Sequence, residues 1–418
     1  MMMKPNKEVM EMLSRCSRCG ACQANCPLYT ATGREQFVAR GKIELLEMLE
    51  EGKIEWNDKL GEIFSTCLLC GRCGENCTNN VKGDELVREA RRDLVGNLGL
   101  PIIKKTVFQH FLTKTGRLNV LAKLLYLYHA LGMDALTRAT GILKLLPGDL
   151  AAKESLLPPV TRLSSFREST PSISKANGTA KYRVAYFTGC MTNYMFPATG
   201  ANIIKMLNES GVEVVIPDQA CCGIPALASG DHETARKLAE KNVAAFAKTE
   251  ADDIIADCAS CIGTWHEYPQ LLEQSPAAVA LSEKVIDIGT LLVKVLDFQP
   301  PKPVNVGTVT FHEPCHFRKL KGTTESHKEL LRRLGPGTKF VELTANSCCG
   351  SAGSFNMSHY KLSQQVAQPK IDFLQKNKID YLVTGCPACL IQLQHAVRNA
   401  GVGTQVVHTM DLVAKAYQ

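Results

Sequence analysis

Apolar residues follow two different periods along this chain. Between residues 37 and 99 they recur at helical spacing, as in FVARGKIELLEMLEEG (Ile43, Leu46, Met48, Leu49) and KLGEIFSTCLL (Leu60, Ile63, Phe64). GDELVREARRDLVGNLG reads as a further helix, with Asp84 and Glu85 in its first turn and Gly99 near its end. Residues 97–156 continue as an amphipathic helical connector, where Leu118, Leu121, Leu125 and Tyr128 alternate with Lys104, Lys105, Lys114, Arg117 and Lys123. The stretch 157–181 is rich in Ser, Pro and Thr and lacks an apolar period, which predicts a linker or long loop.

Beyond residue 181 the pattern changes to short β-branched runs alternating with helical stretches such as GANIIKMLNESG and ETARKLAEKNVAAFAK. The pattern also occurs twice. KYRVAYFTGC (181–190) answers VGTVTFHEPC (306–315), QACCG (219–223) answers NSCCG (346–350), and DDIIADCASC (252–261) answers KIDYLVTGCPAC (378–389). VIDIGTLLVKVL (285–296) answers VVHTMDLVAKAY (406–417). A stable period with matching apolar runs means two copies of one unit, each an α/β module built on a parallel sheet. The expected chain is multidomain: a helical unit over 1–96, the connector 97–156, the linker 157–181, and α/β modules over 182–300 and 301–418.

The length of 418 residues suits several domains with ordinary cores. The 18 cysteines are the unusual count. A chain this large does not need disulfide staples, and its opening, MMMKPNKEVMEML, lacks an apolar signal region. The uncharged stretch Leu124–Met133 is about half the ~20 residues that span a bilayer. A reduced, cytoplasmic protein is therefore expected, its cysteines serving metal or redox chemistry. Of the net charge of +7, residues 101–150 carry +5, from 7 Lys and Arg against 2 Asp. That concentrates the excess on the connector, where it fits a solvated helix surface or peripheral contact with an anionic membrane rather than a nucleic-acid face.

Eight cysteines form two similar runs. Cys16, Cys19, Cys22 and Cys26 precede Pro27 as C-x2-C-x2-C-x3-C-P, and Cys67, Cys70, Cys73 and Cys77 repeat the spacing before Thr78. Three cysteines at this pitch wrap a loop around a cubane cluster, and the fourth of each run ligates the other cluster. One 4Fe–4S cluster is then expected on Cys16, Cys19, Cys22 and Cys77, and a second on Cys67, Cys70, Cys73 and Cys26. Zinc is the alternative, but it prefers paired C-x2-C hooks separated by a longer loop.

The other ten divide equally between the repeats: Cys190, Cys221, Cys222, Cys258 and Cys261, then Cys315, Cys348, Cys349, Cys386 and Cys389. Most follow strand-like runs, so each set of five can gather at the carboxyl edge of a sheet. Gly223 and Gly350 give the CCG loops freedom to bring adjacent thiols together. His312 and His316 flank Cys315 as possible ligands, more often hydrogen-bond partners, while His266, His359 and His408 have no partner pattern. GSAGSF (350–355) does not open a dinucleotide unit, so neither FAD nor NAD is expected on this chain.

CSRCGACQANCP, ARGKI (39–43), CLLCGRCGENC and the two CCG modules together resemble the iron–sulfur subunit of glycolate oxidase and its relatives in D-lactate dehydrogenases. They also resemble the cysteine-rich subunit of heterodisulfide reductases and the small subunit of anaerobic glycerol-3-phosphate dehydrogenase. The resemblance implies an electron-transfer subunit that serves a partner FAD subunit oxidising a 2-hydroxy acid, with a quinone or redox protein as acceptor. It also allows noncubane 4Fe–4S clusters in one or both five-cysteine sets, with zinc or no metal as the alternatives. A heterodisulfide-reductase-like subunit with catalytic noncubane clusters, a subunit of anaerobic glycerol-3-phosphate dehydrogenase, and a non-catalytic redox or metal sensor are the competing expectations.

Overall fold

The computed structural model describes residues 7–144, 150–156, 158–320, 322–345 and 347–418. Among the described residues before 173 every regular element is helical. The helices Ala39–Glu50, Asp58–Ser65 and Gly83–Leu98 bury the predicted stripe, and Ile43, Leu46, Leu60, Ile63, Phe64, Leu86 and Val87 form one core. Three cations stand on these helical stripes or their equivalents later in the chain: Lys42, Arg91 and Lys370 are all buried.

Each repeat then folds as a sheet flanked by helices. The first sheet contains β1 (Ile173–Ser174), β2 (Tyr182–Phe187), β3 (Val212–Val215), β4 (Asp253–Ala256) and β5 (Val285–Asp287) in the order β1-β3-β2-β4-β5. The second contains β6 (Gly307–His312), β7 (Thr338–Phe340), β8 (Tyr381–Thr384) and β9 (Gln405–His408) in the order β7-β6-β8-β9. From β2 onward every pairing is parallel. Fully buried runs such as Val184–Phe187 fit sheets covered on both faces.

The Ser- and Pro-rich stretch is more than a linker. β1 adds an antiparallel edge to β3, with Ile173 opposite Val215. Phe166 is buried against Gly200, where a Cβ would come within 2.8 Å of its ring. A short aromatic anchor and a two-residue strand carry no period, so the pattern could not reveal them.

The connector also departs from a simple amphipathic reading. Phe108 and Leu112 enter the core, and Leu118 packs against it. The helix Thr115–Ala130 buries no residue completely and leaves Val120, Leu121, Leu124 and Leu127 exposed. Leu121 therefore lies outside the covered stripe to which the spacing assigned it.

The two modules pack about a pseudo-twofold axis. Asp287 of the first bonds His327 of the second at 2.9 Å, while Asp411 of the second accepts from Thr199 and Asn202 of the first at 2.8 and 3.0 Å. Near the axis the Ala259 amide donates to the Gly385 carbonyl at 3.1 Å.

The helical unit is held to the first module by Arg91. Its guanidinium donates to the carbonyls of Phe64, Ser65 and Cys67, and to Ala228 across the boundary at 2.6 Å. Gly230 (φ +90°) lies against the Arg91 carbonyl, leaving no space for a Cβ. Arg91→Met removes a buried charge together with the donors for four carbonyls. The expected cost is about 3–5 kcal/mol, and Arg91→Lys recovers little of it because an ammonium cannot span the same fork. Calorimetry checks this; an unfolding midpoint within ~2 °C of the wild type would show that the clamp contributes little.

Candidate metal centres

The two N-terminal runs form a matched pair of loops. Within each, the residue before the second cysteine is left-handed, Arg18 (φ 57°) and Leu69 (φ 50°), and so is the glycine after it, Gly20 (φ 85°) and Gly71 (φ 77°). These turns curl three thiols of each run around one point. One cavity is lined by Cys16, Cys19, Cys22 and Cys77, with Cys73 also at its wall. The other is lined by Cys67, Cys70 and Cys73 of the second run and Cys26 of the first. Gly83 lies between Ala39 and Cys73, where a Cβ would come within 2.9 Å of the sulfur.

The cavities have different surroundings. Cys19 is exposed, and backbone hydrogen bonding at Ala21 lowers its pKa. Around the other, burial raises the Cys70 thiol to about 11 and pushes Cys73 up as well. Lys42 lines this second cavity and donates to the Gln36 carbonyl at 3.2 Å. Burial lowers its pKa to about 8, opposed by the attraction of Cys67 and Cys26. Amides also point at sulfur, Leu69 to Cys67 at 3.4 Å and Val81 to Cys77 at 3.3 Å. Four thiols around one cavity, with amide dipoles and a cation beside them, suit a thiolate-ligated cluster.

The CCG cysteines collect beyond the carboxyl ends of the parallel strands. In the first module Cys190 approaches Cys221 at 3.9 Å, and Cys222 hydrogen-bonds with Cys221 and Cys261, which holds its pKa well below the usual thiol value. In the second, Cys349 and Cys389 are 3.3 Å apart, and Cys349 is lowered by hydrogen bonds from Cys348 and Cys389. Burial raises Cys315 to about 12. Cys258 and Cys386 are the N-caps of the helices Ala259–Leu271 and Pro387–Asn399; the neighbouring thiols of Cys258 and Cys389 hold Cys386 well below the usual thiol value, while Cys258 is pushed well above it.

Cys258 and Cys386 are equivalent residues, and their thiols interact across the module boundary, where Ser260 also lies 3.6 Å from the Cys386 sulfur. Contact between equivalents is the mark of a twofold axis. The two sets of five thiols therefore meet at this axis. Cys70 adds an electrostatic contact to Cys315 and Cys348, so the second N-terminal cavity borders the second set. The short helix Cys315–Lys319 fixes that border. Arg318 donates to the Cys70 carbonyl at 3.0 Å and pairs with Glu75 at 2.6 Å, and Lys319 pairs with Asp84 at 2.6 Å.

The histidines separate by role. His316 lies between Ser260 (3.4 Å) and Cys315 (3.7 Å), a hydrogen-bonding position at the module boundary. His312 is buried with its ring toward Cys349. His359 bonds Ser65 at 3.3 Å and His408 bonds the Asp257 carbonyl at 2.8 Å, both structural contacts without a sequence pattern. Lys42 and Lys370 were not singled out by motif, although a lysine on an apolar helical stripe was the available signal. Lys370 donates to the Ser347 carbonyl and hydroxyl at 2.6 and 3.0 Å and to the Cys348 carbonyl at 3.0 Å. Burial lowers it to about 8.

Comparison with known proteins agrees with this architecture. A "4Fe-4S dicluster domain" matches residues 12–81 and a "Cysteine-rich domain" matches 184–265 and 309–394. The "Glycolate oxidase iron-sulfur subunit, linker region" matches 99–157. The "Probable glycolate oxidase iron-sulfur subunit" of Bacillus subtilis is 32% identical over 97% of this chain and 94% of its own. The chain belongs to the glycolate oxidase iron–sulfur subunit family. "Lactate utilization protein A" of Oceanobacillus iheyensis is 30% identical over 55% of this chain and 96% of its own. A solved structure, a hypothetical protein from Helicobacter pylori, covers 99% of this chain and 73% of its own at TM-score 0.55 and 9% identity, a likeness of fold alone. As a member of the glycolate oxidase iron–sulfur subunit family, this chain is an electron-transfer iron–sulfur subunit of an oxidoreductase.

Lys370→Met leaves the buried Ser347 and Cys348 carbonyls without their donor. The expected loss is about 2–3 kcal/mol, seen as a drop of roughly 5–10 °C in the unfolding midpoint. A drop below ~2 °C would mean that the ammonium is offset by its own desolvation.

Proposed function

We propose that this subunit accepts electrons from a partner FAD subunit that oxidises a 2-hydroxy acid, glycolate or D-lactate, and passes them to a quinone or redox protein. On this reading Cys16, Cys19, Cys22 and Cys77 hold one 4Fe–4S cluster, and Cys67, Cys70, Cys73 and Cys26 hold the other. The observation that carries it is the lining of the two cavities, each with three thiols of one run and the fourth of the other. Such clusters supply one-electron carriers at close separation. The exposed Cys19 makes the first cluster the entry point, and Cys70 beside Cys315 makes the second the exit toward the CCG modules. The ten CCG cysteines hold further metal, as noncubane 4Fe–4S clusters or zinc.

Cys26→Ser is expected to abolish the EPR signal of the second cluster and leave most of the first in the anaerobically reduced chain. Loss confined to the first cluster would reject the crossed ligation. Co-purification with a flavin-containing subunit whose substrate bleaches both clusters tests the direction of transfer.

The connector is the proposed site of peripheral membrane contact. Among the described residues no helix is long and apolar enough to cross a membrane. Ile102 and Ile103 are exposed beside Lys104 and Lys105, as are Val120, Leu124, Leu127 and Leu131 farther along. Apolar side chains beside lysines suit an anionic lipid surface, where each basic residue adds about 1 kcal/mol. Lys104→Glu with Lys105→Glu should weaken binding to phosphatidylserine-containing vesicles more than tenfold, by roughly 1–2 kcal/mol per reversed charge. Sedimentation unchanged by the double substitution would rule out this contact.

A further inference from the structure

The two copies of the repeat place different residues at the same point. β2 ends in Phe187 and β6 ends in His312, each three residues before the first cysteine of its set. Phe187 belongs to an aromatic cluster, with ring centroids 5.7 Å from Phe246 and 5.6 Å from Trp265. In the second copy the residue corresponding to Trp265 is Leu393, so the aromatic cluster is not repeated. His312 is 1% exposed, and the one group that its ring engages among the described residues is the Cys349 thiol, with no nitrogen or oxygen partner on either ring nitrogen. A buried imidazole with no stronger partner than a thiol keeps a lone pair free for a ligand.

The surroundings indicate what that is. A nitrogen of His312 and the sulfurs of Cys349 and Cys389 lie within 4.8 Å of one another, all three residues buried. Three soft-to-intermediate donors at this separation form the open face of a tetrahedral site. The CCG loop differs in the same sense. Asn242 donates to the Cys221 carbonyl at 3.0 Å in the first copy, whereas the ammonium of Lys370 donates to the Cys348 carbonyl at 3.0 Å in the second.

We propose that the second five-cysteine set is a mixed nitrogen–sulfur metal centre, with His312 donating beside Cys349 and Cys389, and that the first set is all sulfur. This rests on the reading of the CCG sets as metal sites. The metal is one that accepts imidazole and thiolate together, zinc or an iron of a cluster. His312 adds a neutral donor to a set that keeps all five of its cysteines, so the two centres differ in their nitrogen and not in their thiols. The second centre is also the one bordered by Cys70.

The test uses the full chain purified without oxygen. Metal belonging to the second centre is that lost on Cys349→Ser. In the wild type this metal should carry a histidine nitrogen, seen by pulsed EPR if it is iron and by X-ray absorption if it is zinc. His312→Phe, the residue of the first copy, should lower its retention against a chelator about tenfold or more, with the N-terminal cluster signals unchanged. His312→Cys should keep the metal and abolish the nitrogen signature, which decides the matter even if the Phe variant does not fold. Full retention in His312→Phe, or a wild-type centre without histidine nitrogen, overturns the proposal. If Cys349→Ser removes no metal, the reading of the CCG set as a metal site has failed, and with it the role of His312.

Discussion

Crowding sulfur into a poorly hydrated interior is the constraint on which this fold turns. A thiolate loses its hydration there and a group of thiolates also repels itself, so a metal, a cation, an amide dipole or a helix N-terminus must offset the charge. The chain uses all of these except the metal within its own atoms. Lys42 lines the second N-terminal cavity and Lys370 donates to the CCG loop, amides bond Cys67 and Cys77, and Cys258 and Cys386 cap helices. The lysines remain buried because the charge they neutralise is buried with them.

Electron transfer requires that the cavities be close and stay at fixed separation. Arg91 and the pair Arg318 and Lys319 meet that requirement, the first from the helical unit and the others from the second module. Arg91 binds the carbonyls leading into it and Arg318 the carbonyl of Cys70 within it. The docking of the modules and the shape of the second cavity are thus set by the same backbone atoms. A shift of the helical unit against the modules would change both.

Much of this was legible in the sequence because cysteine spacing and apolar period are local. The helical N-terminal unit, the repeat and the α/β modules follow from them directly. The meeting of Cys258 with Cys386 does not, since a repeat fixes what the copies are and not how they face each other. The stretch around Phe166 and Ile173 was read as a linker because two residues of edge strand have no period to detect. The connector was read as having one covered face, and the structure gives it apolar residues on the open side as well. Arg91, Lys42 and Lys370 were visible only as charges out of place on helical stripes.

The pseudo-twofold axis bears on the history of the chain. Two identical modules joined through this face would form a symmetric dimer, with one cysteine from each meeting on the axis. In such a dimer every substitution is made twice and the halves cannot specialise. Joined in one polypeptide, each half varies alone. The second module alone carries the Cys315–Lys319 helix with its two docking cations, and the corresponding segment of the first, Gly189–Tyr194, carries none. The fused pair is thus an ordered one: the second module borders Cys70 through its own helix, and the first meets the helical unit through Arg91 and Arg88 instead.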